Sequence, residues 1–150
     1  VASLREKGLE FRWYIIGVGP EEAALREQAR SLGIEQDVCF LGEQANPYPF
    51  LRACDVYLQP SRFEGKSIAV DEAMVLCKPI LLTDFSTAAD QVTSGENGLI
   101  VPMTPEGIAE GLEKLLTDGE LRQRFHDALE AEDYTNETEI EKVYSLIGSE

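Results

Sequence analysis

Two glutamates, Glu64 and Glu72, stand eight positions apart in the run Pro60-Ser61-Arg62-Phe63-Glu64-Gly65-Lys66-Ser67-Ile68-Ala69-Val70-Asp71-Glu72-Ala73. The first precedes a glycine, and the second falls inside a stretch that reads as a helix. Just upstream, Asp55-Val56-Tyr57-Leu58-Gln59 reads as a strand. Glu64 is therefore expected at a strand-to-helix turn, where an α/β sheet presents a ligand to a helix N-terminus. Open amides at the start of that helix can bind phosphate oxygens. Gly65 lets a ligand come close to the backbone. Arg62 and Lys66 offer positive charge, and Ser67 offers a hydroxyl or a helix cap. Glu72 lies about five residues into the helix, roughly 7–8 Å along its axis. It shares a face with Ile68 and leans back toward the N-terminus, so it can meet the vicinal hydroxyls of a ribose. Asp71, one step around, faces elsewhere. Such a set suits a ligand with both phosphate and hydroxyl groups, and a nucleotide sugar has both. Acids before and within the first turns of a helix also stabilise its dipole, and spacing alone leaves that reading open.

The elements that must position these residues alternate in type. Strands are expected over 11–18, 38–41, 56–59, 80–83 and 98–101. Helices are expected over 21–32, 47–53, 67–76 and 87–93, then over 104–117, 120–131 and about 137–147. Short apolar strands alternating with helices predict an α/β domain, a Rossmann-like parallel sheet with helices on both faces. The run Phe11 to Val18 is almost continuously apolar and is expected to be buried on both faces. Trp13, Phe50, Leu51 and Tyr57 read as packing residues. Val1–Gly8 reads as the end of a helix whose preceding strand is absent, so the first strand of the sheet is expected to be missing.

Composition narrows the function. The chain has 150 residues, 43% apolar and 27% charged, which fits one soluble domain. Its formal net charge is −15. Thirteen acids against four bases lie from residue 104 onward, and they read as solvated helix faces. This balance opposes nucleic-acid binding, which needs a basic footprint. No apolar run reaches the length of a membrane helix. Cys39, Cys54 and Cys77 have no metal-knuckle spacing and read as small buried hydrophobes in a reducing, cytoplasmic setting. The single histidine, His126, reads as a surface residue, which leaves no histidine-rich metal site.

The run Glu64 to Met74 resembles the Glu-x7-Glu motif of retaining glycosyltransferases of the GT-B fold, specifically glycosyltransferase family 4. Other segments agree in order: Ile15-Ile16-Gly17-Val18-Gly19-Pro20, Val38-Cys39-Phe40-Leu41-Gly42, Ala53-Cys54-Asp55 through Pro60-Ser61, Lys78-Pro79-Ile80 through Asp84, and Gly95-Glu96-Asn97-Gly98 through Pro102. The resemblance covers roughly residues 11–130.

The resemblance implies that residues 1–150 form the nucleotide-sugar-binding C-terminal domain of a larger two-domain enzyme. The acceptor would be held by an N-terminal domain that is absent. Glu72 is then expected on the ribose hydroxyls. Glu64 is expected near the donor sugar's hydroxyls, beside the reacting carbon, as the catalytic position. Backbone amides at Lys66, Ser67 and Ile68 would hold sugar and phosphate oxygens, and residues 43–45 would edge the base. The family needs no metal or cofactor, and the chain has no Asp-x-Asp. The donor would be a UDP-sugar ahead of a GDP-sugar, and the isolated piece is expected to be inactive. A cytoplasmic enzyme of polysaccharide or glycolipid synthesis follows, peripheral at the inner membrane face only through absent regions. Lys66 departs from the family, which usually has an aromatic or aliphatic residue there. Asp90 stands where the family often has a glutamate, and its role is open between capping and a cleft-edge contact.

Three other readings compete. Gly17-Val18-Gly19 begins a dinucleotide fingerprint, but Glu22 replaces the third glycine and Glu21 and Glu22 would repel a pyrophosphate. A nucleotide-sugar 2-epimerase of the same architecture would also keep two glutamates and a nucleotide cleft. A non-catalytic binding module of GT-B origin is the third. Asn136-Glu137-Thr138 matches a glycosylation sequon that a cytoplasmic chain would leave unused.

Overall fold

The computed structural model describes residues 1–132. The helix expected over about 137–147 and the sequon at Asn136 lie outside the described residues. The order is α1 (Ala2–Glu6), β1 (Trp13–Ile16), α2 (Glu22–Ser31), β2 (Val38–Gly42), α3 (Tyr48–Ala53), β3 (Tyr57–Gln59), α4 (Ile68–Val75), β4 (Ile80–Thr83), a 3₁₀ turn over Ala88–Asp90, β5 (Leu99–Val101), α5 (Pro105–Thr117) and α6 (Gly119–Glu130). Every strand pairing is parallel. The α/β class with helices against parallel strands is as expected.

The sheet comes in two pieces, β1–β2 and β3–β4–β5. Between them lies a cavity of about 580 Å³, lined by Trp13 and Ile15 of β1, Leu58 of β3, Arg62, Thr83 and the start of α5. β1 and β3 each pair on one side only, so neither is joined to the other. In β1 the burial alternates, with Tyr14 and Ile16 exposed and Trp13 and Ile15 half-buried. This corrects the expectation of a strand buried on both faces. The apolar run satisfies one cover, formed with Ala29 and Ile34, and among the described residues the other face has none.

The three-stranded piece is covered on both sides. Ile80 and Leu82 of β4 pack with Val70, Ala73 and Met74 of α4 and with Phe85, Ala88 and Val92. Leu81, pointing the other way, joins Leu112 and Leu115 of α5 and Leu121 and Phe125 of α6. The period of two sends alternate side chains to opposite layers. Helix α5 lies close against the sheet because Gly111 carries no side chain: a Cβ there would stand 2.6 Å from Leu81 Cδ1 and 2.8 Å from Val101 Cγ1.

Local chemistry sets the helix ends. Ser67, Thr104 and Asp118 take extended backbone, and their side-chain oxygens accept from Val70, Gly107 and Leu121 amides respectively. Helix α4 ends in a Schellman turn: the Lys78 amide donates to the Ala73 carbonyl and the Cys77 amide to the Met74 carbonyl. Cys77 takes the left-handed position at φ 51°, where glycine is usual. The Lys78 ammonium donates to the Arg52 carbonyl at 2.6 Å and the Cys54 carbonyl at 3.1 Å, at the end of α3. All three cysteines are half-buried thiols, not the fully buried hydrophobes expected. Cys54 Sγ donates to the Leu51 carbonyl, and burial raises its pKa.

Candidate functional site

Strand β3 ends at Gln59 and α4 begins at Ile68, so residues 60–67 form the expected strand-to-helix turn. Glu64 is half-buried in it, and Ser61 Oγ donates to Glu64 Oε1 at 2.8 Å. Thr87 Oγ1 donates to the Glu64 and Gly65 carbonyls, and Thr83 Oγ1 to the Ser61 carbonyl. Two threonines from the β4 side thus fix the backbone of the turn. The Glu64 carboxylate keeps one oxygen free of protein hydrogen bonds among the described residues.

Glu72 sits on the second turn of α4, half-buried, and Tyr48 Oη donates to its Oε1 at 2.9 Å. The neighbouring Asp71 turns away, accepting from Gln91 Nε2 at 2.8 Å and pairing with Lys66 Nζ at 3.2 Å. The divergence of Asp71 and Glu72 is the one expected from helix geometry. Tyr57 of β3 feels the charge of both glutamates. Burial raises its pKa most, and the Glu64 and Glu72 carboxylates add to the shift, so its phenol stays protonated. That hydroxyl donates to Gln59 Oε1 at 2.6 Å, which also accepts from Ser67 Oγ at 3.1 Å.

The helix N-terminus is only partly open. The Ser67 amide, one of the three assigned to ligand, already donates to Gln91 Oε1 at 3.0 Å, and Gln91 Nε2 donates back to the Ser67 carbonyl at 2.9 Å. Val70 and Asp71 amides go to Ser67 Oγ and the Ser67 carbonyl. The Ile68 and Ala69 amides have no hydrogen-bond acceptor among the described residues, and both residues are exposed. Ser67 is thus a buried cap and anchor, while Ile68 and Ala69 carry the open donors. Lys66 is engaged with Asp71, so its charge is shared with a carboxylate. Arg62 is exposed, has no ion pair among the described residues and borders the cavity between the sheet pieces.

Gly65 has a particular status. Its backbone is not left-handed, and a Cβ would meet nothing within 4 Å. The fold itself makes no demand for glycine there, and the space beside it is open. Phe63 is 90% exposed next to it. Asp90 is exposed at the end of the 3₁₀ turn. The sequence did not single out Gln91 or Tyr48. Each reaches its partner 24 positions away, so no local pattern marks it.

His126 is half-buried rather than a surface residue, its Nδ1 3.0 Å from the Cys77 carbonyl oxygen. With Asp127 and Glu130 it forms a group whose ligand atoms lie within 4.8 Å of one another. It packs at the far end of α4 from Ser67.

A turn between a parallel strand and a partly open helix N-terminus, carrying Glu64 and followed by Glu72, belongs to an α/β domain with parallel strands. Residues 1–131 match the family model described as glycosyl transferases group 1, and the chain belongs to that family. It is 32% identical over 113 residues to the lipopolysaccharide core biosynthesis glycosyltransferase LpsE of Rhizobium meliloti, covering 75% of this chain and 33% of LpsE. It is 28% identical over 128 residues to the alpha-D-kanosaminyltransferase of Streptomyces kanamyceticus, covering 83% of this chain and 33% of that protein. Its fold matches Anabaena HepE, solved in complex with UDP, with a TM-score of 0.82 at 22% identity, over 93% of this chain and 41% of HepE. The chain therefore spans about a third of the length of these curated relatives. Among the described residues, no helix is long and apolar enough to cross a membrane.

Proposed function

We propose that this chain is the donor-binding part of a retaining glycosyltransferase that takes a sugar from a nucleoside diphosphate. The observation that carries the reading is the pair of open Ile68 and Ala69 amides at the start of α4, with Glu64 in the turn before them and Glu72 on the second turn of the helix. Glu72 receives the ribose hydroxyls. The helix N-terminus and Arg62 receive the diphosphate, and stabilising charge that grows there as the sugar departs is the main catalytic task. Glu64, oriented by Ser61, faces the sugar beside its reacting carbon. Gly65 lets the ligand lie against the backbone. No resident cofactor or metal enters this scheme.

A UDP-sugar is the preferred donor, with a GDP-sugar second. Acceptor binding belongs to a part of the enzyme beyond this chain. The relative named for lipopolysaccharide core biosynthesis supports a role in polysaccharide or glycolipid synthesis. That role places the enzyme in the cytoplasm, peripheral to the inner membrane face through other regions.

The test is a calorimetric titration of the chain with UDP, GDP, ADP and CMP, beside Glu72→Ala. Saturable binding of one diphosphate, weakened about tenfold or more by the substitution, is expected from loss of a charge-assisted pair of hydrogen bonds. Failure of all four to bind, or binding indifferent to Glu72, would overturn the assignment. In the full enzyme, epimerised donor in place of transferred sugar would instead mark a 2-epimerase.

A further inference from the structure

We propose that Tyr48 is a positioning residue of the donor site, holding the Glu72 carboxylate so that its free lone pairs face the ribose diol. The inference rests on the donor-site reading above and adds a residue to it.

Tyr48 is the first residue of α3 and half-exposed. Its exposure means that packing does not dictate its place. Its backbone is unusually constrained for a surface residue. Pro47 and Pro49 flank it, fixing φ on both sides, and its amide donates to Asn46 Oδ1 at 3.1 Å. The phenol is thus delivered by a stiff segment, at small entropic cost on making its bond.

Its hydroxyl donates to Glu72 Oε1 at 2.9 Å, between elements 24 positions apart. A carboxylate has about four acceptor sites. Tyr48 occupies one, so the carboxylate remains able to accept from two neighbouring hydroxyls. Without it, Glu72 has no side-chain hydrogen-bond donor among the described residues. The carboxylate in turn raises the phenol's pKa, so Tyr48 remains a donor through neutral pH. The segment containing Tyr48 directly follows residues 43–45, where the base edge is expected, so its ring borders the same end of the ligand.

The experiment is a double-mutant cycle read with UDP and GDP and their 2′-deoxy forms. The proteins are wild type, Tyr48→Phe, Glu72→Ala and the double variant, each checked for native circular dichroism. Tyr48→Phe keeps the ring and removes only the hydroxyl. It is expected to weaken ribonucleotide binding about three- to tenfold, and to add little in the Glu72→Ala background. It is also expected to shrink the preference of the wild type for ribo- over 2′-deoxynucleotide, which a purely structural role would leave intact. Three results would each overturn the role of Tyr48 while leaving the donor site standing. Binding by Tyr48→Phe could equal wild type, could tighten, or could weaken equally with and without Glu72. Absence of binding to both nucleotides, or no effect of Glu72→Ala, would overturn the donor-site reading together with it.

Discussion

Strands β1 and β4 are both four residues long, parallel and almost wholly apolar, Trp-Tyr-Ile-Ile against Ile-Leu-Leu-Thr. Their fates differ. All four residues of β4 are buried, while β1 alternates between half-buried and exposed. The difference comes from what covers each strand. β4 lies between β3 and β5 and under helices on both faces. β1 has one paired edge and one covered face. The carboxylates and the capped helix hang from the β4 side, so the candidate site stands on the better-packed half. A site that must hold two side chains in register needs such a support.

Core substitution should break the symmetry between the two strands most sharply. Leu82→Ala in β4 is expected to cost about 2–5 kcal/mol, whereas Ile16→Ala in β1 should stay under about 1 kcal/mol. Urea midpoints for the pair check this, and equal losses would refute the contrast. Gly111→Ala comes next. Alanine favours a helix by about 1 kcal/mol, yet its Cβ would press on Leu81 and Val101, and a net loss of about 1–3 kcal/mol is expected by thermal unfolding. Gln91→Ala should cost about 1–3 kcal/mol, because it leaves the buried Ser67 amide unpaired and removes one of the two donors to the Ser67 carbonyl. It should also broaden the amide resonances of residues 64–68 more than those of β1.

A further effect is expected in alkali. The Tyr57 phenol has a raised pKa in the folded chain, against an ordinary value of 10. Its favourable contribution is complete below that value and is lost as pH rises through the folded one. In that window stability should fall by about 1.4 kcal/mol per pH unit from this group. Tyr57→Phe should remove this group's share of the slope, and stability of both proteins measured from pH 9 upward would show whether it does.

Much of this arrangement is legible in the sequence because it is written locally. Ser67 ahead of an apolar helix, Gly65 beside it, and Ile68 and Glu72 at i and i+4 are all signals within one or two turns. The order of strands and helices follows from equally short patterns. Three features escape such reading. The apolar run of β1 has the same pattern whether one face or two are covered, since the cover comes from other elements. Lys66 presents as a charge free for a phosphate, but Asp71, five positions on, lies within reach of it once the helix forms. Tyr48 and Gln91 act across 24 positions, and only the folded chain brings them to Glu72 and Ser67.

Lys78 gives the site a mechanical property. Its backbone closes the end of α4, and its ammonium closes the end of α3. The N-terminus of α3 meets the second turn of α4 through Tyr48 and Glu72. The six-residue α3 is thus tied to the α4 segment at both of its ends, once through an ammonium and once through a phenol. Where the Tyr48 phenol meets the Glu72 carboxylate is therefore set partly by a lysine that touches neither.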